Sequence, residues 1–207
     1  VESALRSGAG APGLKLIETL RAGSPPARLA LHRARMAAGA RALGWGFDAA
    51  GFDAAATQAD PAQGARLRLT LDAGGRIEVA QAALPVSPPE WRLALAPARL
   101  LSHDPWLAIK STNRVAYDTA RAALPEGVEE LIFLNERAEV CDGTITTLFF
   151  DRGEGMRTPP LSSGLLPGVL RAELACPEAV LRAEELPKVR LWVGNALRGL
   201  IPAQWRG

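Results

Sequence analysis

Between residues 66 and 80, Leu67, Leu69 and Leu71 alternate with Arg66, Arg68 and Thr70. The turn Asp72-Ala73-Gly74-Gly75 follows, and a second short run returns from Arg76. Period-two alternation is the mark of a half-buried strand, and a Gly-rich turn between two such runs makes a hairpin. The first half of the chain is therefore committed to antiparallel sheet. Around this hairpin, residues 14–21 predict a strand that ends in a Gly-Ser-Pro-Pro turn. Leu29, His32, Met36, Ala40 and Leu43 follow helical spacing over 27–43. Arg28 and Arg35 flank that stripe. On spacing alone Arg35 reads as a side chain snorkelling from the edge of a buried face; the alternative is a guanidinium held near the core to receive an anion. Residues 47–56 predict a second, short helix and 91–95 a further alternating strand. Residues 1–13, rich in Gly, Ala and Ser, read as a loose arm.

The proline-bearing stretch 96–105 separates this half from the rest, so a boundary belongs there. The expected organisation is a small α/β domain over 1–98, a linker over 99–106 and a larger β-rich domain over 107–207. The second half predicts strands at 129–135, 145–151 and 188–193, and a helix opened by Pro167 near its first turn. With 207 residues, 48% hydrophobic and 22% charged, a substantial core is available. A net charge of +2, with arginines interleaved among acids, gives no basic stripe for nucleic acid. No apolar run is long enough to cross a bilayer and no signal-like start is present, so a cytoplasmic protein without membrane partners is expected. Cys141 and Cys176 lie far apart without metal-ligand spacing, and His32 and His103 are the only histidines, so no metal site is expected.

Lys110 follows the apolar run Trp106–Ile109, which reads as a strand end, and precedes Ser111-Thr112-Asn113, which offers N-cap chemistry for a helix through Val115, Ala116, Ala120 and Ala123. A lysine so placed is poorly solvated, and desolvation makes an ammonium a usable amine nucleophile or base; the alternative is an ordinary solvated loop lysine, the commoner case for any one lysine. Lysine is also scarce here. Of 24 basic residues only Lys15, Lys110 and Lys188 are lysines, and arginine cannot perform amine chemistry. Two stretches read as anion sites. Pro167-Gly168 at a helix start leaves the amides of Val169 and Leu170 facing outward, though a plain proline-initiated helix explains it as well. Gly194-Asn195-Ala196 after an apolar strand is a second cradle, or simply a turn that uses asparagine's tolerance of left-handed backbone. Asp142-Gly143 reads as a turn, or as an acid able to pair with a cationic ring nitrogen.

The order of these features resembles the class IV aminotransferase family, the fold-type IV enzymes of pyridoxal 5′-phosphate (PLP). The matching blocks are Leu16-Ile17-Glu18-Thr19-Leu20-Arg21, His32 with Arg35-Met36, and Lys110-Ser111-Thr112-Asn113-Arg114 with Tyr117-Asp118. They continue through Asp142-Gly143-Thr144-Ile145-Thr146-Thr147-Leu148-Phe149 and Thr158-Pro159 with Leu165-Leu166-Pro167-Gly168-Val169-Leu170-Arg171. A last block, running from Gly194 through Asn195 to Pro202, looks most like the aminodeoxychorismate lyase branch. The resemblance implies a two-domain α/β fold in which PLP lies between a small N-terminal domain and a larger β-rich one. It implies that Lys110 joins the cofactor and later moves the proton at the reacting carbon. Arg35, the Val169 and Leu170 amides and Asn195 would hold the phosphate. Asp142 stands where the family usually has glutamate opposite the pyridine nitrogen, and Thr147 where it often has asparagine. The chain is shorter than is usual in the family, trimmed between Arg171 and Lys188, so walls of the substrate site are expected to be incomplete or to come from a second subunit of a homodimer.

The function this implies is conversion of 4-amino-4-deoxychorismate to 4-aminobenzoate, for folate synthesis, with release of pyruvate. The alternatives are a transaminase of D- or branched-chain amino acids, and a PLP-binding homologue without catalysis. A small-molecule amine is the expected partner, with Arg114 or Arg198 as candidates to bind a substrate carboxylate.

Overall fold

A computed structural model describes residues 2–58 and 65–207. By contact the chain divides into two units, Val1–Val86 with Ile109–Asn113, and Ser87–Ala108 with Arg114–Gly207.

The first unit begins with helix α1, Glu2–Gly8, where the sequence suggested a loose arm. Leu5 and Ala9 are buried, and alanine favours helix more than the composition of the arm implied. Strand β1, Leu16–Arg21, is followed by α2, Pro26–Leu43, and α3, Ala49–Thr57. Strands β2, Arg66–Leu71, and β3, Ile77–Ala82, are the predicted hairpin. The sheet is antiparallel in the order β1-β2-β3, and Leu67, Leu69 and Leu71 are fully buried. The buried positions of α2 are His32, Met36, Gly39, Ala40 and Leu43, largely the predicted stripe. A Cβ on Gly39 would stand 3.2 Å from Leu16 Cδ2, so the missing side chain lets α2 approach β1 closely.

Residues 109–113 return to this unit as an extra edge beside β1. Ile17 N–H donates to the Lys110 carbonyl (2.8 Å), Thr112 N–H donates to the Lys15 carbonyl (2.8 Å), and Leu16 and Ser111 form an antiparallel bridge. Lys110 thus makes its backbone contacts with the first unit, whereas the sequence placed it in the larger domain. The run before it is also different. Pro105–Ala108 is a 3₁₀ turn, started by Asp104 accepting from Trp106 N–H, rather than a strand end.

The second unit holds β4 (Trp91–Leu100), α4 (Val115–Ala122), β5 (Glu130–Asn135), β6 (Val140–Gly143) and β7 (Thr147–Asp151). After these come α5 (Val169–Leu174), β8 (Arg190–Asn195) and β9 (Gly199–Trp205). The N-cap of helix α4 is Arg114, one residue past the predicted capping run Ser111-Thr112-Asn113, and it makes no side-chain cap bond. Thr112 instead spends its hydroxyl on Lys15 N–H and the Gly13 carbonyl. The sheet order is β6-β5-β4-β9-β8-β7. Strand β4 therefore sits in the middle of this sheet, parallel to both β5 and β9, and the division of the chain falls ahead of it, not at residue 98. The prolines that suggested a boundary are absorbed: Pro97 lies within β4 where its pairing with β5 shifts register, between Leu95 and Arg99.

This sheet cannot be flat. Its outer strands β6 and β7 are consecutive in the chain, joined only by Thr144–Thr146, a link that spans about 14 Å at most. A flat sheet of this order would hold its edges on the order of 24 Å apart. The sheet must curl until the two edges meet at this end, where Gly143 N–H donates to the Thr146 carbonyl (2.7 Å). Strands β5, β6 and β7 are buried along their whole length. Ile132, Leu148, Phe150, Val193 and Ile201 pack into one cluster, and Leu131, Phe133, Cys141 and Leu165 into another.

Candidate functional site

In the first unit the chemistry centres on β1. Glu18 is fully buried, and its carboxylate accepts from Arg35 Nε (2.8 Å) at one oxygen and from Arg35 Nη2 (2.7 Å) at the other. His32 Nδ1 lies 2.6 Å from the same second oxygen, as a donor, since a carboxylate offers only lone pairs. Burial alone would raise the Glu18 pKa, but Arg35 and then His32 outweigh it and hold the carboxyl at about 2. His32 and Arg35 are three residues apart on α2 and so share a face. Arg35 is therefore not a snorkelling edge residue but one half of a forked ion pair, its side chain 13% exposed. His32 Nε2 is buried without a hydrogen-bond partner among the described residues. Lys110 is half-buried on the edge beside Ile17, the residue before Glu18. Sequence reasoning gave Glu18 no role. The available signal was an acid in the middle of the apolar strand LIETLR, facing a helix that carries His and Arg three apart.

In the second unit the directions of the strands bring the other candidates to one end of the sheet. Strands β4, β5, β7 and β9 begin at that end, and β6 and β8 finish there. Asp142 at the close of β6, Thr147 at the start of β7, Asn195 at the close of β8 and Arg198 before β9 are thus neighbours by topology. Asp142 is 5% exposed. Its carboxylate accepts from the Tyr117 hydroxyl (3.3 Å) and from Leu166 N–H (3.2 Å). Burial, and then the charge of Asp142, push the Tyr117 phenol well above its ordinary pKa, so it stays a donor. The start of α5 is seated on the same end. A Cβ on its N-cap, Gly168, would fall 2.5 Å from Thr147 Oγ1, and one on Gly194 would fall 2.7 Å from Leu170 Cδ2. No side chain caps this helix start, and Val169 and Leu170 are buried there.

Asn195 behaves differently from expectation. Its amide nitrogen donates to the Ile145 carbonyl (3.1 Å), and its oxygen accepts from Leu197 N–H (3.1 Å) and Arg198 N–H (3.0 Å). The side chain is spent on holding the turn. Of the two arginines, Arg114 donates to Asp118 (2.7 Å) and to the Thr144 carbonyl (2.8 Å) and lies over the Tyr117 ring. Arg198 stacks on Trp91, 5.7 Å from the ring centroid.

The family profile described as amino-transferase class IV matches residues 15–204. The chain belongs to the class IV aminotransferase family. Members of this family are PLP-dependent enzymes, and the fold is that of fold-type IV. A presumed amino-acid aminotransferase from Mesorhizobium loti is 38% identical, with a TM-score of 0.86 over 93% of this chain and 100% of that one. The 4-amino-4-deoxychorismate lyase of Pseudomonas aeruginosa is 24% identical, with a TM-score of 0.77 over 92% of this chain and 82% of that one. A branched-chain aminotransferase from Thermoproteus uzoniensis, solved with norvaline, is 20% identical, with a TM-score of 0.76 over 99% of this chain and 82% of that one. No curated protein sequence matches the chain.

The residues this family member presents fit PLP. Asp142 is a buried carboxylate, as a protonated ring nitrogen requires. Gly168, in the same second unit, leaves an uncapped helix start beside Thr147. The first unit, taken by itself, carries Arg35, a cation of the kind that grips phosphate, and Lys110, a half-shielded amine. No metal-binding group of His, Cys, Asp and Glu occurs among the described residues, and no described helix is long and apolar enough to cross a membrane.

Proposed function

We propose that this class IV family enzyme binds PLP and acts on a small amine, and that its reaction is the release of pyruvate from 4-amino-4-deoxychorismate to leave 4-aminobenzoate. The observation that carries the cofactor reading is the gathering of Asp142, Thr147 and the Gly168 helix start at one end of the curled sheet. When bound, PLP supplies an electron sink for the pair left behind as a proton departs beside the amine. Lys110, in its neutral form, takes that proton and returns it. Asp142 presents a negative charge to the ring nitrogen, and its oxygens are oriented by Tyr117 and Leu166. Being one methylene shorter than glutamate, Asp142 would act on the ring nitrogen either directly or through a water, in both cases helping to keep it protonated. Arg35 and the amides of Val169 and Leu170 offset the phosphate charge. Asn195 contributes by shaping its turn. Homodimer assembly is part of the proposal.

The lyase choice is supported by the block from Gly194 to Pro202. The Mesorhizobium loti relative, described as an amino-acid aminotransferase, supports a second reading, amino-group transfer from an amino acid to a keto acid; a D- or branched-chain amino acid is the donor that reading takes. Both use Lys110. Supplying 4-amino-4-deoxychorismate and measuring pyruvate and 4-aminobenzoate separates them. Equimolar formation of both is expected; transfer between amino and keto acids without pyruvate release would replace the lyase by the transaminase.

A further inference from the structure

Glu130 opens β5 at the same end of the sheet as Asp142, with no exposed surface at all. A carboxylate persists out of water only where donors replace its hydration. Most of those donors come from a single segment, the link between the two edges of the sheet. One oxygen accepts from Thr144 N–H (3.0 Å) and from the Thr144 hydroxyl; the other accepts from Ile145 N–H (3.2 Å) and the Thr146 hydroxyl (2.8 Å). Leu131 N–H (3.2 Å) and Arg121 (3.4 Å) complete the set. The link is pressed directly onto this carboxylate. A Cβ on Gly143 would fall 2.7 Å from Glu130 Oε2 and 2.5 Å from Thr146 Oγ1. Arg114 holds the Thr144 carbonyl as well (2.8 Å).

What the link joins gives the arrangement its meaning. Asp142 stands just before it, and Thr147, against which Gly168 is seated, just after. We propose that Glu130 is a positioning residue of the cofactor site: its buried carboxylate is the template on which 144–146 folds, and so it fixes Asp142, at the ring-nitrogen end, against the Thr147–Gly168 contact, at the phosphate end. This rests on the PLP reading above. Glu130 touches neither cofactor nor substrate; it acts through the link.

The test uses the full chain loaded with PLP, and Glu130→Gln. Glutamine keeps the size but turns one acceptor into a donor facing donors. Amide exchange should rise within 143–147. The Kd for PLP should increase roughly tenfold or more, as when an outer support of a site is lost. The pH midpoint of the bound cofactor's absorbance should shift from its wild-type value as Asp142 leaves the ring nitrogen, a signature that mere loss of global stability does not produce. If the glutamine variant does not fold, Thr146→Ala removes a single donor and should move the same quantities in the same directions by a smaller factor. A folded variant with wild-type Kd and an unmoved midpoint overturns the proposal. Failure of the wild-type chain to bind PLP overturns instead the reading on which it rests, and the two failures are told apart by the wild-type titration.

Discussion

Glu18 shows how much a single buried acid can organise. Its carboxyl has an ordinary value of 4.5 and is held at about 2 in the fold. A depressed carboxyl contributes stability that is complete above its unfolded pKa and lost as pH falls toward the folded one. The wild-type protein should therefore lose stability between about pH 4.5 and about pH 2 in part through this group. Glu18→Gln should cost roughly 3 kcal/mol at neutral pH, because a buried ion pair loses its anion, and should flatten that acid limb. Urea denaturation at pH 7 and pH 3 checks both; equal losses at the two pH values would show that the pairing with Arg35 contributes no charge energy. Lys110 and Asp142 stood out as candidates in the sequence because their residue types are rare or conspicuous where they stand. Glu18 and Glu130 did not. Each lies in a strand of mostly apolar residues, and a sequence does not state that such a strand is buried on both faces, which is what forces its one acid to find donors.

At the scale of elements, the hairpin β2–β3 and helix α2 were readable because their periodicities, two and 3.6, are undisturbed. Strands β6 and β9 were not. Strand β6 is only VCDG, and its Asp-Gly reads as a turn. Strand β9 is internal to the sheet yet contains Pro202, a residue that argues against an inner strand. It is tolerated because β9 pairs with β4 only from Ala203 onward, leaving Pro202 opposite Trp192 of β8 alone. The turn after Leu161–Ser163 is a place where backbone conformation and packing coincide. Gly164 has φ +83, and a Cβ there would fall 2.5 Å from the Ser102 backbone. Neither partner can yield, so Gly164→Ala should destabilise the protein by roughly 2 kcal/mol, read as a lowered Tm. An unchanged Tm would mean that this turn relaxes without effort.

For the whole molecule, the family was legible in the order of the blocks, but the partition of the chain was not. Prolines between 96 and 105 suggested a linker, while pairing shows β4 running through Pro97 as an inner strand, and Pro105 opens the 3₁₀ turn beyond it. Likewise residues 109–113 return to the first unit through hydrogen bonds to β1 that no local pattern announces. Long-range pairing decides both, and it is the part of a fold that composition and spacing report least. Lys110 is the amine proposed to take the PLP aldehyde. Incubation with PLP, borohydride reduction and peptide mapping by mass spectrometry tests that role most directly. One reduced adduct per chain, on Lys110, is expected, and none in Lys110→Ala; an adduct carried by Lys15 or Lys188 instead, or no adduct at all, would rule Lys110 out.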